Sequence, residues 1–364
     1  MLFRNDRSNS VEGVSWDPFL EGCLKMKIGM MLGFEDSIET LTTIASKAES
    51  AGAYSLYTVD AGRSATVTAA AVINVTNQSR VGTYIVNAYA REPWMTGIEA
   101  RDLNEISGGR FILGVGTGNL HFNELYMGID SKKSLAKMRD FLTIVRMVAN
   151  GEAAERVRYQ GEVHRIRWRA SWSPASTDVP VYLSASGPNM LKLAGEVTDG
   201  VAVGIMSSVQ FMRDIVIPNA TAGAEAAGRD ASEIAFPMAA TVSINKDRDL
   251  ARQASRASIC KLYHPIPHPY YDLQLRQLGF DEFADKATEL MPKGQLQEAM
   301  RWVPDEVVDT MTITGTLDEC ISRVGDYDGL ADQVILARTA QRDDQRSLSD
   351  YEEFFSLINE VGTR

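Results

Sequence analysis

A glycine-rich loop follows an apolar run near residue 115. Residues 110–122 read RFILGVGTGNLHF, so the run 111–115 opens into the loop 116–119, GTGN. Glycines allow a backbone to approach a phosphate-bearing cofactor closely. A dinucleotide-binding GxGxxG turn would need glycine where Asn119 stands, and it would follow the first strand of its unit. The pattern therefore disfavours a dinucleotide site and leaves two alternatives, another phosphate-bearing cofactor or a tight turn.

A second candidate is the stretch Ser184-Ala185-Ser186-Gly187-Pro188, which follows an apolar run and precedes a helical pattern. Backbone N–H groups at a helix N-terminus, together with a serine hydroxyl, suit a phosphate. The alternative is an ordinary helix cap by Ser186, with the proline just inside the helix. The residue types alone fit both interpretations.

Two charged residues follow other apolar runs. Asp60 ends one run and could bind a cofactor ring or a substrate donor, or it could be a satisfied loop carboxylate. Arg91 could neutralise an anionic ligand, or it could pair with Glu92 or Glu99 at the surface. These alternatives also stay open on the residue types alone.

Metal and serine-nucleophile chemistry find little support. The only histidines are His121, His164, His264 and His268, and prolines interrupt the last two in YHPIPHPYY, so a helical pairing is excluded. No carboxylate cluster completes a ligand set, and we expect no metal. There is no GxSxG motif, so a serine hydrolase is not indicated.

The elements that position these residues alternate along the chain. Eight short apolar runs are separated by amphipathic stretches with helical spacing, which predicts a parallel sheet joined by helical crossovers. Eight such units in one series favour a (β/α)8 TIM barrel over an open sheet, and a barrel places its chemistry at the strand C-termini. The predicted strands cover residues 27–32, 54–59, 81–86, 110–115, 179–183, 200–204, 234–244 and 333–337.

The remaining length is assigned to three additions. Residues 1–25 are predicted to be an N-terminal extension, and 26–364 a single barrel domain. The segment RVRYQGEVHRIRWRA alternates with period two, which predicts a hairpin insertion, about 153–170, before strand 5. A stretch rich in helix formers, about 263–304, predicts a helical insertion after strand 7.

Composition excludes several classes of protein. The 364 residues carry a net charge of −11, which disfavours a uniform basic face for nucleic acid. Three widely spaced cysteines argue against a disulfide framework and favour a reducing compartment, so we expect a cytoplasmic protein. No apolar run approaches the roughly 18 residues of a membrane span, and the N-terminus lacks the apolar core of a signal peptide.

Assembled in order, these pieces resemble the bacterial-luciferase-like family of flavin- and deazaflavin-dependent enzymes, over about residues 26–340. Within it, the pattern looks most like the coenzyme F420-dependent reductases and dehydrogenases, the branch of methylenetetrahydromethanopterin reductase. The TVD ending of strand 2 and the long insertion fit this branch. The segments that carry the resemblance are KIGM, VGTYIVNAYAREPWMTGIEARDLNEISGGRFILGVGTGN, PVYLSASGPNMLKLAGEVTDGV and ITGTLDECISRVGDYDGLADQVIL.

The resemblance implies a site. The isoalloxazine-type ring would lie at the strand C-termini, the cofactor phosphate near the strand-5 loop, and a non-prolyl cis peptide bond at Tyr84–Ile85 would form a bulge behind the ring. The implied catalytic residues, which hydrogen-bond the ring or the substrate, are Asp60 and Asn119. The implied cofactor-binding residues are Asp60, Tyr84, Ile85, Thr117, Gly118, Asn119, Ser184, Ala185, Ser186, Gly187 and Pro188.

The chain departs from the dehydrogenase pattern. Ala61 stands where those enzymes have a histidine, and Asn119 stands where they have a glutamate. Ser207 and Thr310 stand near the places of the basic residues that grip a sugar phosphate. These differences argue against a sugar-phosphate substrate and against a histidine–glutamate acid/base pair.

The resemblance thus implies an oxidoreductase that transfers hydride between F420 and a small organic substrate. One alternative is an FMN-dependent monooxygenase that uses reduced flavin and O2. Another is a non-catalytic flavin- or deazaflavin-binding protein. The insertion 263–304 is expected to cover part of the pocket and to set substrate choice. The family commonly dimerises, so we expect a homo-oligomer such as a dimer, with no nucleic-acid or membrane partner.

Overall fold

The structure is a computed structural model that describes residues 26–151, 156–169, 178–263, 269–339 and 348–363. The predicted N-terminal extension lies outside the described residues, as do His264 and His268. The ends of the predicted hairpin insertion, 153–155 and 170, also lie outside them.

Twelve strands are present in the described ranges. They are β1 (Lys27–Met31), β2 (Ser55–Thr58), β3 (Arg80–Thr83), β4 (Val86–Asn87), β5 (Phe111–Gly116), β6 (Arg156–Gln160), β7 (Arg165–Arg169), β8 (Val181–Ser184), β9 (Gly200–Ala202), β10 (Pro237–Ile244), β11 (Thr312–Gly315) and β12 (Gln333–Arg338).

The α-helices of the described ranges lie between and after these strands. They are α1 (Ile38–Ser50), α2 (Ala65–Ile73), α3 (Pro93–Ile106), α4 (Leu120–Met127), α5 (Ser134–Ala149), α6 (Pro188–Val197), α7 (Val209–Phe211), α8 (Ile217–Ala226), α9 (Arg248–Lys261), α10 (Pro269–Gln277), α11 (Asp281–Leu290), α12 (Leu296–Arg301), α13 (Asp305–Met311), α14 (Leu317–Val324) and α15 (Glu352–Thr363). A π-helical turn, Met212–Val216, joins α7 to α8. No described helix combines the length and apolar character needed to cross a bilayer.

The main sheet is parallel and curls into the predicted barrel. Its strand order is β11-β10-β12-β1-β2-β3-β5-β8-β9, with β4 also paired to β5. Two isolated parallel bridges, Gly200–Ala235 and Val203–Met238, bring the β9 side of the sheet against the β10 side. The predicted α/β barrel class is therefore confirmed.

All eight predicted strand positions carry a strand, and two differences stand out. The third strand is interrupted after Thr83, so that it is formed by β3 and β4 in succession. The short strand β11 was not predicted, because its four residues, TITG, come immediately before the helix that begins after Thr316 in the sequence.

The core is layered. A large apolar cluster fills the space between the sheet and the surrounding helices. Inside the barrel, Tyr57 and Tyr84 pack edge to face with ring centroids 5.3 Å apart. The Tyr84 hydroxyl donates to the carbonyls of Val203, at 2.7 Å, and Pro237, at 3.0 Å. This buried tyrosine pair fills the interior of the barrel below its C-terminal end.

The two predicted insertions correspond to distinct elements. An antiparallel hairpin, β6–β7, precedes β8 and forms a separate two-stranded sheet. Helices α10, α11 and α12 follow α9, and they share a second apolar cluster that includes Tyr263, Leu275 and Phe283. The insertion after α9 therefore has a small core of its own, beside the barrel core.

Candidate functional site

A cavity of about 310 Å³ opens at the C-terminal end of the barrel. Its wall is formed by the ends of β1, β2, β5, β8 and β9, by the break between β3 and β4, and by the start of α10. The lining residues are Met31, Phe34, Val59, Tyr84, Ile85, Gly116, Thr117, Gly118, Asn119, Ser184, Ala185, Ser186, Gly204, Ile205, Tyr270 and Tyr271. The position agrees with the general placement of ligand sites in such barrels.

The structure brings most of the predicted site residues together. Eight of the eleven residues implied for cofactor binding line this cavity. The other three do not line it: Asp60 lies behind its wall, and Gly187 and Pro188 begin helix α6 next to it.

Sequence reasoning missed several apolar lining residues, among them Met31, Phe34 and Val59. Their types carry no chemical signal, because a methionine, a phenylalanine or a valine at a strand end looks like core. Tyr270 and Tyr271 did carry a signal, since they end the aromatic, proline-rich stretch YHPIPHPYY at the start of the predicted insertion. The insertion therefore contributes a wall of the pocket.

The bulge in the third strand lies where the resemblance implied it. The Tyr84–Ile85 peptide bond is cis, and the Ile85 side chain lines the cavity. A Cβ atom on Gly114 would lie 2.1 Å from the Thr83 carbonyl oxygen, and one on Gly116 would lie 3.0 Å from Ile85 Cδ1. These two glycines are needed because β5 packs closely against the bulge.

A saturated carboxylate lies behind the pocket wall. Asp60 Oδ1 accepts from the Ala65 N–H at 2.8 Å and from Arg91 Nη2 at 2.9 Å, while Oδ2 accepts from the Asn87 N–H at 3.0 Å and from Arg91 Nε at 2.8 Å. Burial by itself raises the pKa of Asp60, but the hydrogen bonds from Arg91, Ala65 and Asn87 outweigh it and hold the pKa below its usual range. Asp60 is thus an ionised anchor with its acceptor capacity used.

Arg91 has two acidic partners. Besides the bidentate contact to Asp60, its Nη1 donates to Glu99 on α3 at 2.8 Å. Pairing with Glu99 was one of the two alternatives from the sequence, and pairing with Asp60 was not foreseen. The ion pair ties the end of β2 to the first turns of α3.

The hydrogen bonding continues from Asp60 into the glycine loop. The Asn87 side chain donates to Asn123 Oδ1 at 2.8 Å, and the fully buried Asn123 donates to the Thr117 carbonyl at 2.8 Å. Gly118 has a φ of +62°, and a Cβ there would lie 2.8 Å from Asn87 Nδ2. We call the series from Arg91 through Asp60, Asn87 and Asn123 to Thr117 the polar chain.

Asn119 begins helix α4. Its Oδ1 accepts from the Phe122 N–H at 3.1 Å, which makes it the N-cap residue. The sequence had not predicted this helix. Asn119 also lines the cavity, and its amide nitrogen has no partner among the described residues, so it can donate to a ligand.

The start of α6 faces the same cavity. Gly187 is its N-cap, makes no side-chain cap bond, and is followed by Pro188 in the first turn. The interpretation of Ser186 as the cap is therefore wrong, and Ser186 lines the cavity instead. An uncapped helix N-terminus leaves backbone N–H groups for an anion.

The cavity holds no group that is charged at neutral pH among its described lining residues. Burial raises the pKa values of Tyr84, Tyr270 and Tyr271, so all three phenols stay neutral. The described residues include no cluster of histidine, cysteine and carboxylate side chains that could hold a metal. The pocket can bind an apolar ring and exclude water, and its hydrogen bonds come from Asn119 and the serines.

A family model described as luciferase-like monooxygenase matches residues 22–333 of the chain. The chain belongs to this luciferase-like family. It is 29% identical over 295 residues to a 5,10-methylenetetrahydromethanopterin reductase of Archaeoglobus fulgidus, covering 80% of this chain and 82% of that protein. It is 32% identical over 253 residues to the protein of the same name from Methanolobus tindarius, covering 69% and 74%.

A solved structure with the same fold is the coenzyme F420-dependent tetrahydromethanopterin reductase from Methanopyrus kandleri. The TM-score is 0.74 at 23% identity, and the match covers 93% of this chain and 97% of that one. The resemblance seen in the sequence is confirmed at the level of family and fold.

The Asp60–Arg91 pair gives a prediction about stability. Replacing Asp60 with Asn should lower the free energy of unfolding by about 3 kcal/mol, because the mostly buried Arg91 cation loses one of its two counter-charges and the new amide group faces N–H donors. The pKa of Asp60 is depressed in the folded state, so its stabilisation is present above the ordinary aspartate pKa, near ~3.9, and is lost as pH falls. Urea unfolding of both proteins between pH 3 and 7 measures the difference.

The matched control is Asp328→Asn, since Asp328 is exposed and makes no ion pair within the described residues. It should unfold like the wild type at every pH. A D60N protein as stable as the wild type at pH 7 would contradict the role assigned to the pair, as would a stability gap that widens below pH 4.

Proposed function

We propose that this chain is an oxidoreductase that transfers hydride between the deazaflavin coenzyme F420 and a small organic substrate. The observation that carries the proposal is a neutral, largely apolar pocket with an uncapped helix N-terminus at its edge. The two curated relatives described above, which are named as methylenetetrahydromethanopterin reductases, support it. When bound, F420 supplies a two-electron hydride carrier at C5 of its ring.

The described residues fit such a cofactor. The uncapped start of α6 gives the phosphate a set of backbone N–H donors, with the Ser186 hydroxyl beside them, and the adjoining Ser184, Ala185 and Pro188 shape the same loop. The apolar face at Ile85 would support a flat ring, with Tyr84 beneath it. Thr117, Gly118 and Asn119 form the neighbouring wall.

Each of the two predicted catalytic residues receives a separate role in this proposal. The Asn119 amide nitrogen donates a hydrogen bond to the ring or the substrate. Asp60 acts as a positioning residue, because four donors already occupy its carboxylate and hold the loops that carry the wall. Tyr270 and Tyr271 exclude water from the site and, with the insertion that carries them, determine substrate choice.

Two further functions are compatible with the family. An FMN-dependent monooxygenase would use the same barrel and phosphate site, and the description of the family model favours it as the second candidate. A non-catalytic binding protein would retain the site without turnover. Cofactor preference separates the first of these from our proposal, and turnover separates the second.

The cofactor titration is the direct test. The purified chain should bind F420 in preference to FMN. The bound reduced deazaflavin should then reduce an acceptor in a screen of small carbonyl and imine compounds, and the change in absorbance of the deazaflavin measures its oxidation. Tight binding of FMN without binding of F420 would overturn the proposal. Binding of F420 without turnover of any substrate would support the non-catalytic alternative.

A pair of substitutions at Gly187 tests the phosphate site within that titration. Gly187 has extended backbone and room for a side chain, since the nearest atom to its Cβ position is Tyr270 Cε1, 4.0 Å away. Gly187→Asp and Gly187→Asn both supply a helix cap, but only the aspartate adds charge. We expect aspartate to weaken cofactor binding by about tenfold or more relative to asparagine, because a carboxylate beside a phosphate repels it. Equal affinities would contradict the site.

A second pair separates the two tasks of Asn119. Asn119→Ser keeps a capping oxygen and removes the amide donor, whereas Asn119→Ala removes both. Both variants should lose about tenfold in kcat/KM, the effect of one hydrogen bond to a ligand, but only alanine should lower the free energy of unfolding, by about 1 kcal/mol. Wild-type turnover in N119S would mean that Asn119 serves only as a cap.

We propose in addition that residues 26–364 form one domain with its two insertions, that the protein is a homo-oligomer such as a dimer, and that it is cytoplasmic. The exposed Phe122, Leu125 and Tyr126 on α4 support burial in an assembly. The unpaired, buried Cys260 and Cys320 support a reducing compartment. Light scattering that gives the mass of one 40.0 kDa chain would contradict the oligomer, and cell fractionation checks the compartment.

A further inference from the structure

The hairpin β6–β7 carries five arginines on one face. Alternate residues of a strand point to the same side of a sheet. Along this hairpin the side chains alternate between more exposed and less exposed positions, and every arginine is exposed. We call this surface the arginine face, and its members are Arg156, Arg158, Arg165, Arg167 and Arg169.

The register of the hairpin places like charges opposite one another. Arg156 pairs across the ladder with Arg169, and Arg158 pairs with Arg167. Directly opposed side chains of an antiparallel pair have Cβ atoms about 4.5–5.5 Å apart, and like charges in such pairs are destabilising. The fold therefore carries an electrostatic cost that nothing in the hairpin itself offsets.

Acidic partners are missing from this surface throughout the described part of the chain. None of the ion pairs there includes any of the five guanidinium groups. The one carboxylate between Arg156 and Arg169, Glu162, pairs with Lys133 instead. The chain as a whole has a net charge of −11, so this group of positive charges without acidic partners differs from the rest of the protein in its charge.

The opposite face of the hairpin is fastened to the barrel. The buried Asp140 on α5 accepts from the Tyr159 hydroxyl at 2.7 Å and from the backbone N–H groups of Val163 and His164 at 2.6 and 2.9 Å. A Cβ on Gly161 would lie 2.1 Å from Asp140 Oδ1, so the turn needs glycine.

Trp168 adds a second attachment, because its ring packs edge to face on Trp94 with centroids 6.4 Å apart. Val157, on the same face, is buried as well. The hairpin is thus held at both ends, and its arginine face is fixed toward solvent.

We propose that the arginine face is a docking surface for an extended acidic peptide segment of another protein. Arginines two apart on a strand are spaced by about 6.6–6.8 Å, which is also the spacing of alternate side chains in an extended peptide. Guanidinium groups bind carboxylates through paired hydrogen bonds. A segment with acidic residues at every second position would therefore present one carboxylate to each step of the ladder.

The backbone of the hairpin offers a second element of recognition. Among the described strands, β6 and β7 pair only with each other, so each has an edge without a neighbouring strand. An acidic segment added to either edge would satisfy these backbone groups while its alternate side chains lie beside the arginines on the same face, the mode known as strand addition.

Nucleic acid fits this surface less well. Single strands are usually bound by aromatic side chains that stack on bases between the basic residues. Here Tyr159 and Trp168 lie on the opposite face, engaged with Asp140 and Trp94. The net charge of −11 also opposes a long polyphosphate.

The experiment uses the full chain and two labelled nine-residue peptides of the same composition. One alternates glutamate with threonine, and the other has the same residues in one acidic and one neutral block. Fluorescence anisotropy should show the alternating peptide binding at least about tenfold more tightly, with affinity that falls as salt rises. Equal binding of the two peptides would overturn the proposal, and so would tighter binding of a single-stranded oligonucleotide.

A pair of double variants locates the site. Arg158→Gln with Arg167→Gln removes one opposed pair, and Arg213→Gln with Arg301→Gln removes the same charge from exposed positions elsewhere. The hairpin variant should lose at least about tenfold in peptide affinity, and the control should lose much less. Equal losses of peptide affinity in the two variants would mean that only the net charge of the protein matters, and they would overturn the proposed site.

The same hairpin variant has a readout that needs no peptide. Its melting temperature should equal or exceed that of the wild type, because two opposed like charges have been removed. A lower melting temperature would mean that the guanidinium groups support the fold, and it would overturn their assignment to a partner.

Discussion

Asp60 accepts four hydrogen bonds, and the shape of the pocket wall depends on them. Its carboxylate receives the first N–H of α2, the Asn87 N–H and two donors of Arg91. Loops at the end of a barrel strand have few backbone partners of their own, so a single ionised group with four donors can fix several at once. Its desolvation cost is offset because every lone-pair direction is used.

The polar chain extends this constraint to the glycine loop. Hydrogen bonds of Asn87 and Asn123 connect Asp60 to the Thr117 carbonyl. Gly118 lies too close to Asn87 to carry a side chain. Gly114 and Gly116 similarly make room for the interrupted third strand. The glycines that first suggested phosphate contact are therefore explained by packing within the protein, and the remaining phosphate candidate is the strand-5 loop at the start of α6.

The sequence was sufficient to predict the eight barrel strands and eight of the sixteen residues that line the pocket, for a physical reason. Barrel strands and crossover helices impose periodic apolar patterns, and ligands lie where parallel strands end, so Thr117, Asn119 and Ser186 could be selected by position alone. The features that could not be predicted depend on contacts between parts of the chain that are distant in sequence. The pairing of Asp60 with Arg91 joins residues 31 apart, Asn119 begins a helix too short for a clear period, and Met31 and Phe34 differ from core residues only in where the barrel places them.

Because the pocket is neutral, the barrel and its insertion have separate roles. Proton transfer would require a group that titrates near neutral pH, whereas the lining phenols have raised pKa values. Hydride transfer requires instead that the two reacting atoms be held about 3–3.5 Å apart and that water be excluded. The polar chain and the bulge at Ile85 fix one side of such a space. Tyr270 and Tyr271 enter from α10, whose cluster with Tyr263 and Leu275 is separate from the barrel core. Substrate choice can therefore change through the insertion while the wall built on Asp60 stays intact.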